Sequence, residues 1–216
     1  DNRNKSTERF YLALRNWYGD YDKKCLSANC GSALELGAGL ESVSLSYDIP
    51  FRLTSIDISS KAIELLKSKG VKENISFEVA DAHDLPYANG SFNFVFARGV
   101  LHHLDLQVAL PEILRILGQP HKILFGEPLA GNPFIRLYRW LTPHLRTPDE
   151  QPLCHKDILH LRNAFPGAKI KYYGFFSLIY ALLTNRHSSF ANNIDNIILN
   201  KLRLGRFLAW TCIISN

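Results

Sequence analysis

Three carboxylates in the first hundred residues share a spacing that could serve one ligand. Glu35 lies within the apolar run Ser32–Leu36, Asp57 follows Phe51–Ile56, and Asp81 follows Asn74–Ala80. Successive members are 22 and 24 residues apart, the length of one strand–helix unit. Behind the first run comes Gly37-Ala38-Gly39. Glycines there let a ligand approach the backbone, and an acid after a second strand can hold both ribose hydroxyls. That is a layout for a nucleoside. Further on, the paired imidazoles His102 and His103 follow Phe92–Ala97, and Glu127 follows Lys122–Gly126. Imidazole titrates near neutrality and can take a proton from a hydroxyl; Glu127 is the other candidate base. The plainer alternatives are that the histidines order a loop and that Glu127 caps a helix or pairs with a cation.

The glycine string narrows the choice of nucleoside. A dinucleotide site wants a third glycine and a helix N-terminus holding pyrophosphate. Here Gly37-Ala-Gly39-Leu-Glu-Ser42 has no third glycine, and Glu41 stands where a carboxylate would repel a pyrophosphate. A ligand carrying an ammonium or sulfonium suits the site better. On charge alone the acids favour S-adenosylmethionine over NAD.

The elements that must position these residues alternate. A helix over Thr7–Tyr18 is followed by the runs above, with helices over Lys61–Lys69 and Leu106–Leu117 between them. Ser59 or Ser60 caps the first of these and Gly70 stops it; Gly118 and Pro120 end the second. Strands alternating with helices predict a parallel sheet covered on both faces. Beyond residue 128, Asn132-Pro133 starts a helix with Phe134, Leu137, Tyr138 and Leu141 on one face. A helix near Lys156–Phe165 and strands at Lys169–Phe175 and Leu208–Ile214 follow, the two strands separated by an insertion, Phe176–Phe207.

With 216 residues and 46% hydrophobic composition the chain is long enough for one folded domain and too apolar to be disordered. The division expected is a helical cover (1–30), a cofactor-binding core (31–128), a lid and helix (129–168), and two last strands with a helical insertion (169–216). Charge divides at the same place. Residues 1–128 carry 14 Lys+Arg against 16 Asp+Glu, and residues 129–216 carry 11 against 4. Cys25, Cys30, Cys154 and Cys212 form no metal-ligand pattern, so no metal is expected. No basic-then-apolar leader opens the chain, and the cytoplasm is the expected compartment.

Leu34-Glu-Leu-Gly-Ala-Gly39, Ser55-Ile-Asp-Ile-Ser59, Ala80-Asp-Ala82 and Gly99-Val-Leu-His-His-Leu104 resemble, in order, the motifs of class I S-adenosylmethionine-dependent methyltransferases, nearest the type 11 small-molecule branch. The resemblance covers roughly residues 30–128. It implies a Rossmann-like α/β fold: a doubly wound seven-stranded sheet in the order 3-2-1-4-5-7-6, parallel except for an antiparallel last strand. It also implies roles. Glu35, Gly37, Ala38 and Gly39 would frame the methionine end, Asp57 the ribose hydroxyls, and Ile58 the adenine face. Asp81 would accept from the adenine amino group with Ala82 beside it, and backbone near Arg98 and Gly99 would line the sulfonium. Glu41 departs from the family, which has a third glycine there.

The expected activity is methyl transfer to an O, N or C nucleophile of a small, partly apolar or acidic acceptor. Phe10, Tyr11, Trp17 and Tyr18 of the first helix and a lid over Asn132–Pro152 would surround it, with Arg136 and Arg139 for an acid group and His144, Arg146 and Asp149 at the mouth. Two other readings fit: an accessory protein that keeps the fold without turnover, and a tRNA or protein methyltransferase docking through its basic half. The apolar stretch Tyr172–Leu183 beside that positive charge allows peripheral contact with an anionic membrane. The basic residues are dispersed and form no stripe, which argues against nucleic acid.

Overall fold

The computed structural model describes residues 5–142 and 151–216, so His144, Arg146 and Asp149 lie outside the described residues. The strands are β1 (Ser32–Leu36), β2 (Arg52–Asp57), β3 (Ile75–Val79), β4 (Phe92–Arg98), β5 (Leu117–Pro128), β6 (Lys169–Tyr173) and β7 (Thr211–Ser215). They form one sheet in the order β3-β2-β1-β4-β5-β7-β6, the order the sequence motifs imply. β7 alone runs against its neighbours. Placing β1 beside β2 and β4 aligns Glu35 with Ser55 on one side and Phe96 on the other.

Both faces of the sheet are covered, which is why its strands read as nearly continuous apolar runs. Leu34, Leu36, Val95, Ala97, Ile123 and Phe125 point to one core, under α4 (Leu106–Ile116) and α6 (His155–Ala164). Ala33, Phe94, Phe96 and Leu124 point to the other, under α1 (Lys5–Leu26) and α3 (Ser60–Ser68). The alternation follows from the two-residue period of a strand.

Several boundaries differ from those the sequence suggests. The first helix runs two turns past Tyr18, because Leu14, Trp17, Tyr21 and Cys25 continue a buried stripe through Gly19. Gly126 makes that packing possible: a Cβ there would come within 2.9 Å of both Trp17 and Tyr21. After the glycine turn the chain forms only a four-residue helix, α2 (Val43–Ser46). Gly118 and Pro120 belong to β5 rather than to a loop, since Leu117 already pairs with Phe92 before an irregularity in the register. Leu208 closes a helical turn, its N–H donating to the Leu204 carbonyl, so β7 begins later than the pattern suggests.

The second half adds α5 (Pro133–Leu141), and then α7 (Phe176–Thr184), α8 (Ser189–Asp195), a π-helical stretch (Asn196–Lys201) and α9 (Gly205–Leu208) between β6 and β7. α5 does not bury the stripe its periodicity marks. Ile135 packs with Ala13, Leu178 and Ala181, while Phe134, Leu137 and Leu141 are exposed and Trp140 is 75% exposed. Two buried side chains hold these helices to the sheet. Asn132 accepts from the N–H groups of Phe134 and Ile135 and donates to the carbonyls of Gly174 and Leu208. Asp195 accepts from the N–H groups of Phe175, Phe176 and Ser177 and from the Ser177 hydroxyl.

Candidate active site

The site lies along the carboxyl ends of β1, β2, β4 and β5, where an open α/β sheet presents its loops to ligands. At the end of β1, Gly37 and Gly39 take φ of +63° and +55°. A side chain at Gly37 would drive its Cβ to 2.5 Å from Val100, whereas the Cβ direction at Gly39 is open for 4 Å. The turn thus presents bare backbone to a cavity of about 300 Å³ lined by Tyr21, Glu35, residues 36–41, Val43 and Arg98.

Glu35 shapes this turn from beneath. Its carboxylate accepts from the hydroxyls of Ser42 (2.5 Å) and Ser55 (2.6 Å) and from the Val43 N–H (3.0 Å). Burial pushes its pKa up, and these hydrogen bonds pull against that. The side chain is therefore spent on the turn and the start of α2, the capping role, with backbone left to meet a ligand.

Asp57, the last residue of β2, accepts from the Gly39 N–H at 2.8 Å and the Ser59 N–H at 2.9 Å. Each carboxylate oxygen can accept more than one hydrogen bond, so these contacts orient the group without exhausting it. Beside it Ile58 is 73% exposed, an apolar side chain held at the rim while Ser59 caps α3.

Asp81 turns into its own loop. One oxygen accepts from the His83 N–H (2.9 Å) and faces His83 Nδ1 (2.8 Å), and these contacts hold the carboxyl below its ordinary range. His83 Nε2 accepts from the Asp105 N–H at 3.0 Å, which puts the ring proton on Nδ1. This one imidazole ties the β3 loop to the N-cap of α4. Ala82 packs at the edge of the core beneath.

The turn after β4 is organised by Glu127, which is fully buried. One of its oxygens accepts from the N–H groups of Val100 (3.0 Å) and Leu101 (2.9 Å); the other lies 2.8 Å from His102 Nδ1. Gly99, at φ +70°, donates to the Gly126 carbonyl. A carboxylate so occupied is an acceptor and a cap, not a free base. With Nδ1–H directed at Glu127, the neutral His102 ring carries its lone pair on Nε2. His103 is exposed, its ring centroid 4.1 Å from that of His102.

Two further cavities border this edge. One of about 540 Å³ is lined by His102, His103, Asp105, Gln151, Lys156 and His160 among others. The second, about 460 Å³ and mostly apolar, lies between Leu129–Gly131, the start of α6, Tyr172 and the Arg206-Phe207 pair. Leu153 lines both.

Comparison with known proteins agrees with this arrangement. A family model described as a methyltransferase domain, type 11, matches residues 34–124. The matched segment holds the glycine turn, Asp57, Asp81 and the His102-His103 loop, so the resemblance to methyltransferases is confined to the part of the chain that carries the site. Among curated proteins, the chain is 31% identical over 104 residues to the uncharacterized methyltransferase YcgJ of Bacillus subtilis, covering 45% of this chain and 40% of that one. It is 30% identical over 155 residues to norajmaline N-methyltransferase of Rauvolfia serpentina, covering 67% and 48%. It therefore spans less than half the length of these relatives. Among solved structures, the geranyl diphosphate C-methyltransferase of Streptomyces coelicolor has the same fold, with a TM-score of 0.65 at 13% identity over 100% of this chain and 85% of that one.

The methyltransferase fold gathers Gly37, Ala38, Gly39, Asp57 and Ile58 at one turn and Arg98, Gly99, His102 and Glu127 at the next. Asp81 and Ala82 sit one strand further out. Sequence reasoning passed over Tyr21 and His83, and read Asn132 only as the start of its helix, which it caps. Tyr21 had a signal, since it continues the period of Leu14 and Trp17. His83, in its contact with Asp105, and Asn132, in its bonds to Gly174 and Leu208, act through partners distant in the chain, which no local pattern reveals.

Proposed function

We propose that this chain binds S-adenosylmethionine across the glycine turn and transfers its methyl group to a small, partly apolar, acidic acceptor. The observation that carries this reading is the single edge on which an oriented Asp57, a bare glycine turn with an adjoining cavity, and the His102–Glu127 pair are aligned. Asp57 would hold the ribose hydroxyls, Ile58 one adenine face, and the β3 loop at Asp81 and Ala82 the adenine edge. The cofactor, when bound, supplies an electrophilic methyl group on a sulfonium, beside the Arg98–Gly99 backbone.

The chain's own contribution is placement and proton management. Glu127 fixes the His102 ring at the wall of the 540 Å³ cavity, leaving Nε2 as the acceptor of a proton from a hydroxyl nucleophile or from an ammonium whose deprotonation frees the amine. Positioning and exclusion of water supply the rest of the acceleration. The apolar cavity near β5, with Arg206 at its wall, suits an acceptor with a hydrocarbon body and an acid group. It lies in the basic half of the chain.

Calorimetry with S-adenosylmethionine and S-adenosylhomocysteine tests the reading: both bind, and Asp57→Ala weakens both by about tenfold or more. No binding of either overturns it. Unchanged affinity in the Asp57 variant means the nucleoside lies elsewhere.

A further inference from the structure

The apolar cavity of about 460 Å³ beside β5 has no Asp or Glu among the residues that line it. Leu129, Leu153, Ile158 and Phe207 supply hydrocarbon walls, and Tyr172 and Arg206 bring polar groups to them. Both are held by close packing. Asn200 of the π-helical stretch accepts from the Tyr172 N–H at 2.9 Å and donates to the Tyr172 carbonyl at 3.0 Å. The Tyr172 ring packs on Gly205, where a Cβ would collide with it. Gly131 lets the loop after β5 approach α9, since a Cβ there would come to 2.5 Å from the Arg206 carbonyl oxygen. The Arg206 guanidinium carbon sits 4.5 Å from the Phe207 ring centroid.

Among the described residues, the Tyr172 hydroxyl has no hydrogen-bond partner and Arg206 no carboxylate partner. Arg162, likewise without a carboxylate partner among the described residues, follows Ile158 by four residues on α6 and so shares the helix face that lines the cavity. Burial and Cys212 push the Tyr172 phenol up, while the charges of Arg162 and Arg206 pull against that, so both cations reach the same hydroxyl. An O–H donor flanked by two unpaired guanidinium forks above an apolar cavity matches an anion on a hydrocarbon body. Leu153 separates this set from His102. It lines both cavities, is 2% exposed, and is fixed by bonds of 3.0 Å from its N–H to the Pro128 carbonyl and from the Ala130 N–H to its own carbonyl.

We propose that Tyr172, Arg162 and Arg206 anchor the acceptor's carboxylate, and that the methylated atom lies at the acceptor's other end, across Leu153 on the His102 side. The inference rests on the methyltransferase reading above and deepens it. The acid group is an anchor and not the nucleophile, so the product is an ether or a methylated amine and not a methyl ester. The acceptor's oxygen or nitrogen forms the bond to the methyl carbon as the sulfonium C–S bond breaks, its electron pair staying on sulfur. The nucleophile's proton goes to His102 Nε2, and the carboxylate is unchanged.

The test is calorimetry with straight-chain carboxylates, the matching alcohols, and ω-hydroxy and 2-hydroxy acids of graded length. Wild type binds a carboxylate about tenfold tighter than the alcohol of the same length. Arg206→Gln lowers that preference several-fold, adding Arg162→Gln abolishes it, and Tyr172→Phe, which keeps the ring and its packing, reduces it. At one chain length an ω-hydroxyl tightens binding further; His102→Ala removes that gain and leaves the plain acid unchanged. Retained alcohol binding shows in the same experiment that each variant is folded. Equal affinity for acid and alcohol in wild type, or a preference that survives the double variant, overturns the anchor. A gain from the 2-hydroxyl instead, or from no ω-hydroxyl at any length, overturns the placement of the nucleophile. If wild type fails to bind S-adenosylhomocysteine yet keeps the carboxylate preference, the cofactor reading falls and the anchor stands, so the two failures are distinguishable.

Discussion

Residues 31–128 and residues 129–216 meet along β5, yet they are finished in different ways. In the first, the buried carboxylates of Glu35 and Glu127 are surrounded by donors that converge from the neighbouring turns and strands, and the loops at the sheet edge are tied to one another through Asp57, His83 and Asp105. In the second, α5 rests on Ile135 and leaves Phe134, Leu137, Trp140 and Leu141 exposed, while positive charge predominates. A satisfied polar network holds one geometry, because each broken contact strands a buried group. An exposed apolar helix beside cations holds no such commitment. On the proposed reading, the first half would keep a constant ligand in register, and the second would accommodate a particular acceptor or surface.

The contrast can be broken most severely at Glu127. Glu127→Ala strands the N–H groups of Val100 and Leu101 and the His102 ring, and should cost about 3 kcal/mol or more in urea unfolding. A loss below about 1 kcal/mol would mean that the turn holds itself. Asn132→Ala should cost about 2 kcal/mol, since it removes both the cap of α5 and the links to Gly174 and Leu208. Its affinity for S-adenosylhomocysteine should stay within about twofold of wild type by calorimetry, at temperatures where the variant is folded. A parallel fall in affinity would show that the halves act as one.

Glu35 gives a pH signature confined to the first half. Its folded pKa lies above the ordinary 4.5, so the native chain holds this proton more tightly than the unfolded one. The contribution is therefore complete below pH 4.5 and declines as pH rises through the folded value. Melting temperature should fall over that window more steeply in wild type than in Glu35→Gln, which cannot ionise; parallel profiles would remove the assignment. The smallest effect belongs to the exposed face of α5. Anionic vesicles should shift Trp140 fluorescence to the blue and neutral vesicles should not, with Trp140→Ala weakening vesicle binding about two- to threefold. Equal binding to both vesicle types would separate this face from the charge beside it.

The strand–helix alternation was legible in the chain because buried parallel strands are nearly continuous apolar runs, and the turns between them need glycine or an N-cap; the strand order and the antiparallel last strand came only with the resemblance of the motifs. The positions of Glu35, Asp57 and Asp81 at strand ends were legible for the same reason. What each acid does was not. Glu35 and Glu127 have the same residue type and similar apolar surroundings as candidate ligand groups, and only the donors that converge on them, from Ser42 and Ser55 or from Val100, Leu101 and His102, make them caps. Residues 129–216 were harder still. The stripe on α5 has the period of a buried face, but burial depends on what lies opposite, and α1 and α7 receive only Ile135. Sequence by itself determined the periodicity, the glycine turn and the strand-end carboxylates, since these are local consequences of backbone geometry and hydrophobicity. The tertiary structure alone decided which carboxylates were consumed as caps, and that Tyr21 reaches Arg98 with its hydroxyl unpaired among the described residues, because those outcomes depend on groups brought together from different elements, 7 to 77 residues apart in the chain.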